Sequence, residues 1–225
     1  MAGNMKKELI QVTLNILKSE GIESIKIRRI AKDAGCTSTV IYNYFENLDH
    51  LISFAAIRIL KDYIRDFQEI MNNPDLNVLD RYLRLWECFA RYAFEDIHIF
   101  ELLFWGKYKS RLGEMMFDYF QLFKDEIEMK NFDGLSASIM FSNDLPTRSR
   151  FTLRKAAAEG VFSFDDVLML SDLLVSLFHG MLLEYKDRYR EPGVAQEGAE
   201  KFLGILHSII GKYCLLPDLM GNKEL

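Results

Sequence analysis

Apolar positions repeat at helical spacing along most of the chain, and nowhere do they alternate as they would in a strand. Leu9, Ile10, Thr13, Leu14 and Leu17 form an i, i+1, i+4, i+5, i+8 stripe that predicts a first helix over residues 5–20, ended by Gly21. A second helix is predicted over residues 25–33, with Ile30 and Ala31 as its apolar and small positions and Ser24 as the nearer capping candidate. Gly35 can take the left-handed backbone that ends it, and Thr37 can then cap a third helix that closes at Phe45. Within that third helix Ile41 and Phe45, four apart, share one face and should pack inward. The helical pattern resumes at Leu48 and runs through Leu51, Ile52, Ala55, Ile59, Tyr63 and Phe67, stopping near Asn72, Asn73 and Pro74.

Residues 77–129 carry aromatics at helical spacing. Most of these rings should be core, but their density also suggests an apolar cavity lined by Tyr82, Trp86, Phe89, Tyr92, Phe104, Trp105, Tyr108 and Phe120. Residues 130–150, punctuated by Asp133, Gly134, Asn143 and Pro146, read as a loop with one short helical turn. Helices follow over residues 150–160 and 164–189, the latter capped by Ser163 with Asp165 and Asp166 in its first turn, where the helix dipole favours carboxylates. The interior of the 164–189 helix is apolar around most of its circumference, which demands burial on two sides. A last helix is expected over residues 195–215. The fold class is therefore all-α: an N-terminal three-helix, helix-turn-helix domain at residues 1–50 and a larger helical domain at residues 51–225.

The outward side of the third helix holds Thr37, Ser38, Thr39, Tyr42 and Asn43. These short or planar hydrogen-bonding side chains suit base edges and phosphate oxygens in a major groove, although an ordinary helical hairpin can also present a polar face. The run AGCTSTVIYNYFENLDHL, residues 34–51, resembles the signature of the TetR family of bacterial transcription regulators. There a small residue and a glycine precede the recognition helix, and a Tyr-x-Tyr-Phe run, here Tyr42 to Phe45, closes it. The resemblance covers roughly the first fifty residues. It departs at Lys26, where the family usually has a capping Thr, and at Leu48, where it usually has a Lys that grips a phosphate.

The resemblance implies a homodimeric DNA-binding regulator, a repressor released from a palindromic operator by a small apolar or aromatic effector. Tyr44 would join Thr37, Ser38, Thr39, Tyr42 and Asn43 at the DNA, and Arg28 would read a base, its fork being the shape that grips guanine bidentately. Lys6 or Lys7 would approach a phosphate, with an ordinary surface charge pair as the alternative. The helix after residue 48 would be the rod that links effector binding to the spacing of two recognition helices. The last two helices would form a four-helix seam with their copies through Leu173, Ser176, Leu177, Gly180, Met181, Phe202, Leu206, Ile209 and Ile210, the small residues permitting close approach. A monomer with both helices internal is the competing arrangement. The alternative function is a helical ligand-sensing or protein-interaction module whose motif no longer holds DNA strongly, a reading supported by Leu48.

Charge adds one qualification. The net charge of −5 divides into seven Lys and Arg against six Asp and Glu over residues 1–50, net +1, and 21 against 27 over the remainder, net −6. A domain so weakly basic must bind DNA through placed residues rather than through a broad field. Three separated cysteines, Cys36, Cys88 and Cys214, argue against a disulfide framework, and Cys36 reads as buried filler. His50, His98, His179 and His207 form no metal-binding pair, and no nucleophile elbow, phosphate loop or dinucleotide fingerprint occurs, so neither an enzyme nor a cofactor is expected. The sequence offers no signal peptide and no run of about eighteen apolar residues, so a cytoplasmic protein without membrane contact is expected.

Overall fold

The computed structural model describes residues 2–126 and 132–220; the end of the aromatic-rich stretch and the start of the 130–150 segment lie outside them. Among the described residues there are twelve α-helices and no strand. The first three, α1 (Ala2–Glu20), α2 (Ile27–Asp33) and α3 (Ser38–Tyr42), form the N-terminal unit. Leu9, Ile10, Leu14 and Leu17 of α1 are buried, as the stripe requires, together with Thr13, whose hydroxyl donates to the Leu9 carbonyl at 2.8 Å. Gly21 and Gly35 take φ of +83° and +66°, so each ends its helix in the left-handed region that a side chain would strain.

Two expected caps are corrected. Thr37 and Lys26 hold the N-cap positions of α3 and α2, but neither makes a side-chain capping bond. Ser24 instead donates back to the Glu20 carbonyl at 3.1 Å, which completes the end of α1. The recognition helix is also shorter than expected: the chain leaves α-geometry after Tyr42 and passes through a turn at Asn43 and Tyr44.

The rod expected from Leu48 to Asn72 is two helices, α4 (Leu48–Ile57) and α5 (Lys61–Asn72), joined by a 3-10 turn at Arg58–Leu60. Backbone angles there stay right-handed, so the path tightens without breaking. Every residue of α4 from His50 to Ile57 is buried, so beyond its first two residues this helix has no solvent face. It lies between α1 on one side and α7 (Ile97–Phe104) and α8 (Leu112–Leu122) on the other.

The body is completed by α6 (Val78–Glu95), α9 (Gly134–Met140), α10 (Leu145–Ala158), α11 (Phe164–Tyr185) and α12 (Val194–Tyr213). The loop expected over residues 130–150 is therefore corrected to α9 and the first turns of α10. Both start on an aspartate cap: Asp133 accepts from the Ser136 N–H and Asp144 from the Thr147 N–H, each at 2.7 Å. Pro146 sits in the first turn of α10, where its missing N–H costs nothing.

The central pairing is α6 on α12, and Gly198 makes it possible. A Cβ there would stand 2.5 Å from the Phe94 ring, closer than real contacts allow. α11 is the one helix among the described residues long and apolar enough, by length and composition, to cross a membrane, as a core helix can also be, and Ser171, Asp172, Ser176 and His179 interrupt its apolar run. Of its most apolar 18-residue window, 44% is buried inside the chain, and Asp165 and Asp166 occupy its first turn.

Candidate nucleic-acid interface and effector cavity

The N-terminal surface is built by burying one side of α3 and exposing the other. Ile41 and Phe45 are 0% and 2% exposed; α3 packs on α2, and the Phe45 ring just beyond it meets His50 and Phe54 of α4. Tyr42 is 55% exposed, and Thr37, Thr39 and Asn43 are exposed beside it, whereas Ser38 and Tyr44 are half-buried. An exposed tyrosine among small polar groups offers stacking area and hydrogen-bond donors and acceptors at low entropic cost. Arg28 is exposed and joins no ion pair with a described residue; its expected competing partners, Glu23 and Asp33, leave it free. Asp33 and Glu20 pair instead with Arg29, at 3.6 and 2.5 Å.

Lys26, Arg28 and Lys32 are thus the exposed cations of α2 and its entry that no described residue neutralises. Lys6 is drawn the other way: its ammonium lies 4.6 Å from the Phe54 ring centre and 5.8 Å from that of Phe45. Lys7 likewise sits 5.3 Å over Phe123. Leu48 is half-buried against the core, the opposite of a phosphate grip. Cys36 packs, half-buried, against the same core.

Immediately behind the recognition helix, residues 46–50 are clasped by the turn before α8. Asn47 caps α4, accepting from the His50 N–H at 3.0 Å, while its amide donates to the Tyr108 hydroxyl at 2.7 Å. Tyr108 donates in turn to Glu46 at 3.2 Å, Arg111 pairs with the same carboxylate, and the Tyr108 ring stacks on His50 at 4.9 Å. The Glu46 N–H donates to His50 Nδ1 at 3.2 Å, which leaves the imidazole proton on a buried Nε2 with no partner. Burial holds the His50 pKa below its ordinary value, against the pull of Glu46. Sequence reasoning placed Tyr108 at a cavity; here it joins the N-terminal helices to the body.

The remaining aromatics expected at a cavity mostly fill the space themselves. Tyr82, Trp86, Phe89, Phe104 and Phe120 are buried, and Phe89 alone meets Phe104, Phe100, Tyr63, Trp86 and Phe178 at ring separations of 5.0–6.0 Å. Tyr92 donates to Asp66 at 2.8 Å near the surface, Trp105 lies parallel to His179 at 4.4 Å, and Phe120 packs on Tyr119. A cavity of about 50 Å³ remains, lined by Trp86 and Phe89 from the expected set and by Tyr63, Leu85, Ile139, Leu145, Arg148 and Ser149. Arg148, which sequence reasoning missed, is the one charged group on its wall; an arginine on α10, inside a segment read as irregular, gave no sign of facing inward. A larger cleft of about 790 Å³, lined mainly by polar and charged residues, lies between the end of α1 and the start of α7.

Of the residues expected at a seam between copies, Met181, Phe202, Leu206 and Ile210 are buried in their own chain's core and are corrected on that ground. Phe202, for example, packs between Trp86 and Phe178. Leu173, Ser176 and Gly180 are exposed, and Leu177 and Ile209 are half-buried. The outward face of α11 also carries Phe164, Leu168, Met169 and Leu183, each at least 40% exposed. Gly180 and Gly204 have open space above them. Among the described residues no three His, Cys, Asp or Glu side chains converge as a metal site would require; His98 lies edge-on to Tyr189, and Glu101 pairs with Lys186.

No family model matches the chain. A curated relative, the HTH-type nicotine-responsive transcriptional repressor HdnoR of Paenarthrobacter nicotinovorans, is 23% identical over 127 residues, 54% of this chain. The match spans 64% of that relative's length. Thermus thermophilus FadR, a TetR-family transcriptional repressor solved in complex with lauroyl-CoA, superposes with a TM-score of 0.58 at 13% identity, covering 89% of this chain and 92% of that one. The ketosteroid transcriptional regulator KstR2 of Mycobacterium tuberculosis gives 0.51 at 18% identity, covering 93% and 94%. The all-helical chain thus has the fold of the TetR-family transcriptional regulators.

Proposed function

We propose that this protein is a homodimeric, DNA-binding transcriptional repressor of the TetR family whose operator affinity is controlled by a small molecule bound in the helical body. The observation that carries the reading is the N-terminal surface: a helix locked by Ile41 and Phe45 that exposes Thr37, Thr39, Tyr42 and Asn43 beside an unpaired Arg28. Ser38 and Tyr44 flank this patch, half-buried, within reach of phosphates. Two such helices in a symmetric dimer would enter successive major grooves about 34–36 Å apart, or a multiple of that. The outward face of α11, with Leu173, Ser176, Leu177 and Gly180, and Ile209 of α12 supply the self-complementary seam. By linkage, effector and DNA weaken each other's binding by the same factor.

The experiment is a mobility-shift titration with the palindrome upstream of the protein's own gene. Replacing Tyr42 and Asn43 together by Ala should abolish the shift while the dimer persists in sedimentation; undiminished binding refutes the assignment of α3.

A second reading, a ligand-sensing or interaction module with weak DNA binding, draws on a separate observation. Leu48 packs inward, Lys6 is held on aromatic rings and Arg29 is neutralised, so few phosphate contacts remain. The same titration at low salt decides between them, because even a few lysine and arginine contacts hold DNA once counterions are dilute.

A further inference from the structure

We propose that the effector carries a carboxylate and that Arg148 is its anchor. The inference rests on the reading of the helical body as the effector site. Arg148 projects from α10 into the aromatic core and is 4% exposed. Its Nε and Nη2 donate to the Ser142 carbonyl at 3.2 and 3.1 Å, Nη2 lies 3.7 Å from the Met116 sulfur, and the guanidinium sits 5.1 Å from the Phe104 ring centre. Nη1 makes no hydrogen bond of ordinary geometry, the nearby Tyr63 phenol is neutral, and no carboxylate of a described residue forms an ion pair with the group. A guanidinium keeps its charge at neutral pH, and one carbonyl, one thioether and one ring face are poor recompense for the water it has lost.

The surroundings indicate what would complete it. Arg148 and Ser149 are adjacent on the wall of the 50 Å³ cavity, and the buried hydroxyls of Ser149 and Tyr82, which lie close enough to interact, make no hydrogen bond of ordinary geometry with each other or with another group. Trp86, Phe89, Leu85, Ile139 and Leu145 supply the apolar lining, and the Tyr63 hydroxyl lies beside the Arg148 guanidinium. A planar carboxylate would accept from Nη1 and from the Ser149 hydroxyl, presenting its two oxygens to the donors that are free. A phosphate would bring more charge and more oxygens than one guanidinium edge and one hydroxyl can satisfy. The apolar remainder of the molecule would lie against Trp86 and Phe89, entering past Ile139 of the seven-residue α9, because the cavity as it stands admits little more than the head group.

The test uses the full chain without DNA. Tryptophan fluorescence, which reports on Trp86 at the cavity wall, and calorimetry would compare 2-naphthoate and decanoate with their neutral counterparts, 2-naphthalenemethanol and decanol. At least one acid should bind saturably and at least about tenfold more tightly than its alcohol, the ratio that one desolvated charge-assisted pair supplies. Arg148→Met should erase that preference while leaving alcohol binding within about twofold. Without probe it should melt no lower than the parent, because it removes a buried charge that lacks a counter-ion.

Ser149→Ala keeps the charge and decides the matter if Arg148→Met does not fold: it should weaken acid binding several-fold. Acid and alcohol binding alike, no saturable acid binding, or acid affinity unchanged in the variants would overturn the proposal. Retained acid binding in a protein that fails to shift DNA would instead refute the operator reading alone.

Discussion

Tyr108 and His50 show how much of the site depends on groups that sequence spacing cannot bring together. They are 58 positions apart, yet their rings stack and Tyr108 bonds to both Asn47 and Glu46. His50 and His179 have buried Nε2 atoms without partners, and burial lowers the pKa of each. In the unfolded chain each takes up a proton near about pH 6.5. The unfolded state therefore binds more protons as pH falls, so this part of the stability is intact above about 6.5 and is lost as the pH descends through that value toward the lower folded pKa. The thermal midpoint should be flat between pH 8 and 7 and fall between 6.5 and 5. In a His50→Gln/His179→Gln variant that slope should shrink; an undiminished slope would assign it to other groups. Residues of the N-terminal surface were legible because they lie within one continuous run, from Arg28 to Phe45, whose apolar spacing dictates what faces out. Arg148 was not, because an arginine reads as surface unless the fold turns it inward.

At the scale of elements, glycine and aspartate punctuation set the joints, and the sequence was most readable where those residues act locally. Gly21 and Gly35 ended their helices as expected, whereas the Asp133 and Asp144 caps were overlooked because Gly134, Asn143 and Pro146 around them read as loop. The α6–α12 joint depends on an absent side chain instead. Gly198→Val would drive its β-carbon into Phe94, a ring already in edge contact with Phe178 and Tyr185. We expect a loss of about 1–3 kcal/mol in urea unfolding, the usual cost of overpacking a core. A smaller loss would mean that the two helices can separate without disturbing the aromatic cluster. The tightened turn at Arg58–Leu60 was invisible to periodicity, since a 3-10 turn shifts the apolar register by too little to break a stripe.

For the whole molecule, helical stripes and punctuation were enough to identify the all-α class, but not which side of α12 the chain's own core would claim. Phe202, Leu206 and Ile210 lie on an apolar stripe that serves the chain's own core, and only the three-dimensional arrangement shows that Trp86 and Phe178 claim it. The exposed apolar stripe belongs to α11. Leu173→Glu combined with Leu183→Glu should therefore give a folded monomer in sedimentation, with unchanged helical circular dichroism and a mobility shift weakened by at least about a hundredfold, because one half-site alone must then carry the affinity. A dimer that survives both substitutions would place the seam elsewhere.

The clasp at residues 46–50 also bears on modularity. Its counterparts, Tyr108 and Arg111, come from the other side of the nominal boundary. Transplanting residues 1–50 alone onto another helical body would leave Glu46, Asn47 and His50 without the side chains that orient them, so the graft would lose its defined seating on that body. The unit that keeps its packing on exchange is the N-terminal helices together with residues 107–111, rather than the stretch that a linear cut at residue 50 would take.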